Sequence, residues 1–253
     1  MKPESIRFST FDTNNDDQDD SSRLLAKNDE TIYLDFETNE RIDIDSLTVE
    51  INGSTLTSTD ITNTDTFGKQ WQAAFTPTGL DTNVNDVSFQ IKSITDTAGN
   101  TEDTLTSFNA DDSQKTVRID VEKPTVVSGS IGFSTSDTNN DDQDDSSRLL
   151  VKNDETIYLD FETNERIDID SLTVEINGST LTSTDITNTD TFGKQWQAAF
   201  TPTGLDTNVN DVSFQIKSIT DTAGNTEDTP LSFTTDDFQK TVRIDVELSL
   251  IHI

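Results

Sequence analysis

The chain has 253 residues, of which 49 are Asp or Glu and 17 are Lys or Arg, leaving a net charge of -32. A charge of that sign and size argues against DNA, RNA or anionic lipid as partners, because phosphates are repelled, and leaves cations, basic partners or plain solubility. There is no Cys, and the one His is His252, so disulfides, thiolate zinc sites and cysteine nucleophiles are excluded and imidazole catalysis nearly so.

Leu, Ile, Val and Phe make up about 25% of the chain, above the roughly 20% floor for a folded core in so charged a sequence. No apolar run of about 18 residues exists to span a membrane. Met1-Lys2-Pro3-Glu4 has no apolar stretch behind it and does not read as a signal peptide.

The sequence is written twice. Asp12 to Glu122 aligns with Asp137 to Glu247 without a gap, and only six positions differ: Ala26/Val151, Leu105/Pro230, Thr106/Leu231, Asn109/Thr234, Ala110/Thr235 and Ser113/Phe238. Five of the six fall in one short stretch, which reads as a tolerant loop or edge. Two copies of this length predict two domains, each with its own core, over 1–122 and 123–247. Glu122-Lys123-Pro124-Thr125 joins them as a short, stiff linker.

The first copy reads as strand after strand, each alternating apolar and polar residues between Asn, Asp, Gly, Ser and Thr clusters. Ile6-Arg7-Phe8 comes first, then Thr31 to Phe36, then Leu47 to Ile51 with Asn52-Gly53 as a hairpin turn. Trp71 to Phe75, Val87 to Ile91 and Val117 to Val121 complete the set. Ile32, Leu34, Phe36, Val49, Ile51, Trp71, Phe75, Phe89, Ile91, Val117, Ile119 and Val121 are expected to face inward. No helical period is sustained. The expected fold is all-β, two tandem immunoglobulin-like β-sandwich domains in a linear array.

These words have a family likeness. Lys27 to Glu37 resembles the second-strand signature of bacterial immunoglobulin-like domains, the BIg-type repeats of large surface adhesins. Val87 to Ile91 followed by Asp96-Thr97-Ala98-Gly99-Asn100 is similar to that family's penultimate strand and D-x-A-G-N loop. Ile119 to Thr125 is similar to its junction between consecutive modules. The resemblance implies an extracellular location on the bacterial cell surface, tandem extender modules, and calcium (Ca2+) at the junctions.

The first loop argues about calcium on its own chemistry. Calcium takes six to eight oxygen ligands. Asp12, Asn14 and Asp16 place oxygen side chains at positions 1, 3 and 5 of an EF-hand pattern, with Asp20 at position 9. The pattern then fails, because Asp17 replaces the turn Gly and Arg23 stands in place of the bidentate Glu. A calcium loop closed differently, with Asp19 or Asp20 as a later ligand, and a solvated acidic loop both fit. The second copy repeats the set as Asp137, Asn139, Asp141, Asp144 and Asp145.

Topology adds more candidates. In such a sandwich the AB loop lies at the end where the last strand leaves, and the BC and FG loops lie at the opposite end. Stacking would therefore gather the AB loop, Asp120 and Glu122 of one module with Glu162, Asn164, Asp221 and Asn225 of the next. Glu37, Asp96 and Asn100 are the equivalents in the first copy. So many oxygens with only Lys123 nearby would repel one another without a divalent cation. Glu122, Glu162 and Asp221 are the expected principal ligands.

Trp71 and Trp196 are read as core rather than sugar platforms. Acid pairs that could mimic a glycosidase are too numerous for any one to stand out. Lys27 and Lys92 are read as surface lysines, not crosslinks. The apolar tail 248–253 resembles the translation of a transposon end sequence and is expected to be non-native, the alternative being a short hydrophobic C-terminus. No enzymatic activity is expected. The function expected is a calcium-stiffened spacer in a bacterial adhesin, acting as a monomer, contacting neighbouring repeats and holding an unknown adhesive region from the cell. The alternative is a module that recognises a glycan or host protein through its loops.

Overall fold

The computed structural model describes residues 1–10, 23–103, 116–136, 148–229 and 241–246. The chain divides into two compact units, Met1–Glu122 and Lys123–Ile253.

The first unit contains β1 (Arg7–Thr10), β2 (Leu24–Ala26), β3 (Ile32–Glu37), β4 (Thr48–Ile51), β5 (Ser54–Leu56), β6 (Ile61–Asn63), β7 (Gln70–Phe75), β8 (Phe89–Thr95), β9 (Thr101–Glu102) and β10 (Val117–Ile119). One sheet runs β1-β3-β7-β6 and a second β5-β4-β8-β9, while β10 pairs with β2. With β1 as strand A and β10 as strand G, this is the A-B-E-D sheet facing the C′-C-F sheet of an immunoglobulin-like sandwich. The β2–β10 pair is parallel, with Val117 opposite Leu24 and Ile119 opposite Ala26.

Alternation explains the layers. On the first sheet, Phe8 pairs with Leu34, Leu34 with Ala73 and Ala73 with Ile61, a continuous row of buried side chains. On the second, Leu56 pairs with Val49 and Val49 with Ile91, also buried. Because side chains alternate faces with period two, such rows meet face to face between the sheets. Phe8 of β1 meets Phe89 of β8 edge-on, ring centroids 5.6 Å apart, tying one sheet to the other.

The β4–β5 hairpin turns on Asn52 and Gly53, at φ 48° and 77°. Two consecutive positive φ values match the type I′ turn whose twist suits a two-residue hairpin.

The second unit repeats the plan with β11 (Gly132–Thr135), β12 (Leu149–Val151), β13 (Ile157–Glu162), β14 (Thr173–Ile176), β15 (Ser179–Leu181), β16 (Ile186–Asn188), β17 (Gln195–Phe200), β18 (Phe214–Thr220), β19 (Thr226–Glu227) and β20 (Val242–Ile244). Its sheets are β11-β13-β17-β16, β15-β14-β18-β19 and the parallel pair β12-β20. Its core is a separate cluster around Leu159, Val174, Ile216 and Trp196.

Of the residues expected to face inward, all but Phe89 and Val121 are buried, and those two pack half-buried against the core. The strand expected at Val87 to Ile91 instead runs from Phe89 to Thr95. Val87 donates its N–H to the carbonyl of Val117, so its backbone serves β10 rather than the β4–β8 ladder. Strand β2 was not expected: Leu24, Leu25 and Ala26 are all buried, so no period-two pattern marks them.

Two ends follow from the hydrogen bonds. At the upstream end of the first unit, Lys2 N–H donates to Glu37 O, Thr38 N–H to Lys69 O and Asp43 N–H to Thr95 O. The N-terminus and the BC and FG loops thus share this end, as expected. At the downstream end Val84 pairs with Ile119, and Asn83 Oδ1 accepts the Val121 N–H at 2.8 Å.

Candidate metal and ligand sites of the two modules

The upstream end of the first unit is rich in oxygen. Asp96 opens the D-x-A-G-N loop and folds it around its own carboxylate. Oδ1 accepts the Ala98 and Asn100 N–H groups, both at 2.8 Å, and Oδ2 accepts the Asn100 side-chain amide at 2.7 Å. Those donors, the Asn100 side chain first, hold the Asp96 carboxyl below the ordinary range. Gly99 completes the turn at φ 93°. Glu37, at the end of β3, forms an ion pair with Lys2.

Between these loops is a recess of about 280 Å3 whose walls include Glu40, Asp96 and Glu102 with Asn39 and Asn100, and no Lys or Arg. Carboxylate and amide oxygens are the donor type that calcium takes, and Met1 also lines the recess. The residues therefore fit the ion in kind, although Asp96 and Asn100 already bond within their own loop. Glu40 and Glu102 were not among the residues expected from sequence. Glu40 directly follows Asn39 and Glu102 lies two residues beyond Asn100, in β9, and their proximity comes from the fold alone.

At the downstream end, Asp120 is buried and its Oδ2 lies 2.9 Å from Arg118 Nη2. Burial pushes its carboxyl up, against the pull of Arg118 and the Glu122 N–H. Glu122 is exposed, and its N–H donates to Asp120 Oδ1 and Asn83 Oδ1.

In the second unit Thr125 and Asn164 clamp each other. Thr125 N–H donates to Asn164 Oδ1 at 2.6 Å, and Asn164 N–H donates to Thr125 O at 2.9 Å. Asn164 thus fixes the incoming chain, a backbone role that the sequence does not display. Lys123 lies 3.8 Å from Glu227. Glu162 ends β13 and has no counterpart of the Lys2 ion pair, because Val127 occupies the corresponding position. Asp221 is buried and repeats the loop closure, accepting the Asn225 N–H at 2.8 Å and its side-chain amide at 2.9 Å. The AB-loop candidates Asp12, Asn14, Asp16, Asp19 and Asp20, with Asp137, Asn139, Asp141, Asp144 and Asp145, lie outside the described residues.

A different feature was missed from sequence. Beside the β6–β7 hairpin of the first unit lies an open cleft of about 570 Å3, walled in part by Arg41, Asp43, Asn63, Thr66 and Trp71. Trp71 is 4% exposed, as its core reading requires, yet its buried indole N–H has no acceptor among the described residues. Phe67, at the hairpin tip, is 72% exposed, and Phe192 in the same place of the second unit is 61% exposed. A lone Phe within Thr64-Asp65-Thr66-Phe67-Gly68-Lys69 was the available sequence signal.

The strand pairings define a class of fold: two tandem immunoglobulin-like β-sandwich modules. No family model matches the chain, and no curated protein matches it. Among solved structures, it is similar to the fibronectin(III)-like modules of Clostridium thermocellum CbhA, at 9% identity, with 97% of each chain covered and a TM-score of 0.33. It is also similar to tandem Ig domains of titin, at 12% identity over 96% of each chain with a TM-score of 0.27. Tandem Ig repeats of Dlar follow at 9% identity, 89% of this chain and 94% of that one, and a TM-score of 0.25. With scores this low the fold assignment rests on the strand pairings.

Proposed function

We propose that the two modules are spacers from the extender region of a bacterial cell-surface adhesin, stiffened by calcium at their ends and without enzymatic activity. Near-identity of the copies supports the spacer reading, since duplication adds length whereas a second identical catalytic unit adds little. The observation that carries the calcium reading is the recess of Glu40, Asp96 and Glu102, which no Lys or Arg lines.

Glu122 precedes the Thr125–Asn164 clamp by three residues, so its carboxylate belongs to the short linker that an ion would hold. Glu122, Glu162 and Asp221 are the proposed principal ligands there. Calcium binding only the folded chain, with a Kd of ~0.1 mM at ~1 mM free ion, adds about 1.4 kcal/mol per site. That is a useful fraction of a stability of roughly 5–15 kcal/mol.

Melting the chain in calcium and in EGTA tests the reading. Calcium is expected to raise Tm by several degrees, and Asp221→Asn to reduce the gain. Equal Tm in both conditions at low ionic strength contradicts calcium binding.

A further inference from the structure

We propose that Asn52 and Asn177 are modification sites, at which the chain loses ammonia and forms isoaspartate when the hairpin turn around them opens. They are the two Asn residues that precede Gly in the sequence. Each takes the first position of a type I′ turn, at φ 48° and 50°, with Gly53 and Gly178 following at 77° and 79°. The main-chain N–H of each of these glycines and the side-chain amide of each asparagine make no hydrogen bond among the described residues. Both glycines are exposed, and no atom of a non-adjacent residue lies within 4 Å of where a Cβ would stand on either.

The reaction is intramolecular. Gly53 N attacks Asn52 Cγ, a C–N bond forms, the Cγ–Nδ2 bond breaks, and Nδ2 leaves as ammonia with the Gly53 amide proton. Water then opens the five-membered imide. Attack at Cγ gives Asp. Attack at the main-chain carbonyl carbon gives isoaspartate, in which the chain runs through the former side chain. Glycine makes the step accessible, because without a Cβ its nitrogen is unshielded and its backbone is free to turn.

The closed turn opposes that reaction. A type I′ turn, the mirror image of type I, holds ψ of its first residue at about +30°. That value sets Cβ of Asn52 nearly opposite Gly53 N about the Cα–C bond, whereas ring closure needs them on the same side. Attack therefore waits for ψ to rotate, which breaks the pairing of Ile51 with Ser54. Opening is local. β5 is a three-residue strand at the edge of its sheet, with Leu56 its one buried side chain, and such segments open well before the whole module unfolds. Isoaspartate lengthens the main chain of a two-residue loop by one carbon, so the register Ile51–Ser54, Glu50–Thr55 and Val49–Leu56 no longer closes. β4 is then left as the unpaired edge of the sheet. The second unit repeats the arrangement in β14 and β15. No calcium enters the chemistry, so this inference and the spacer reading fail separately.

The test follows the full chain over weeks in mildly alkaline buffer, native and in urea concentrated enough to unfold it. Peptide mass analysis locates the conversion, and enzymatic methylation detects isoaspartate. The native chain is expected to convert at Asn52 and Asn177 ahead of every other Asn, at least about tenfold more slowly than in urea. Amide exchange at Thr55 is expected to be faster in the converted fraction than in the intact one. Asn52→Gly keeps the turn, because Gly takes positive φ freely, and is expected to end conversion there and leave Asn177 unchanged. No conversion at either Asn in the native chain overturns the proposal. Equal rates in buffer and urea also overturn it, since the turn would then not gate the reaction.

Discussion

Leu34→Ala separates the two modules energetically. Leu34 is 0% exposed and sits in the middle of the A-B-E-D sheet, between Phe8 on one side and Ala73 on the other. Truncating a leucine in such a site removes its transfer free energy and leaves a cavity that the neighbouring strands cannot fill, for a loss of about 3 kcal/mol. The second unit keeps Leu159 in its own core, and the two core clusters share no residue. Only the first module should therefore weaken. For a unit of this size a loss of about 3 kcal/mol lowers Tm by on the order of 10 °C. Calorimetry of the wild-type chain is expected to show overlapping transitions, and that of Leu34→Ala two resolved ones, the upper unmoved. A single transition that shifts as a whole would refute the separate cores. A shift of under about 1 kcal/mol would refute the placement of Leu34.

Gly68→Ala tests the hairpin that carries Phe67. It puts an L side chain at φ 68° and a Cβ against Arg41, and a loss of about 1–2 kcal/mol in urea unfolding is expected. Adding Arg41→Ala should recover only the steric part, and no loss from Gly68→Ala alone would refute the turn geometry. Acid stability tests Asp65, whose carboxyl is pushed up by desolvation but held at about 2 by the N–H groups of Lys69, Gln70 and Gly68 and by Asn63. Its folded pKa lies below the unfolded value, so its contribution is full above about pH 4 and fades as pH falls through about 2. Asp65→Asn is expected to flatten the stability decline between those pH values. An unchanged decline would show that the turn does not depend on the charge.

How much was legible depended on which physics the residues display. Period-two alternation marked β3, β4 and β7, because one face of each is buried and the other wet. It could not mark β2, where Leu24, Leu25 and Ala26 are all buried, nor the two-residue β9. Asn52-Gly53 announced its turn because two positive φ values restrict the choice of residue. At the candidate sites, Asp96 and Asn100 were visible as a loop motif, but their mutual hydrogen bonds were not. Glu40 from a loop and Glu102 from β9, far apart in sequence, are brought into one recess, which no local pattern encodes. Phe67 escaped notice because a lone Phe in a turn sequence does not show whether the fold buries or exposes it.

Small-angle scattering of the chain in calcium and in EGTA addresses the central claim most directly. Stiffening by an ion at the Glu122–Thr125 linker predicts a larger maximum dimension and a larger radius of gyration in calcium, with a more flexible profile in EGTA. Glu122→Gln should move the calcium profile toward the EGTA one. Superimposable profiles with and without calcium would contradict the account of a cation-stiffened spacer.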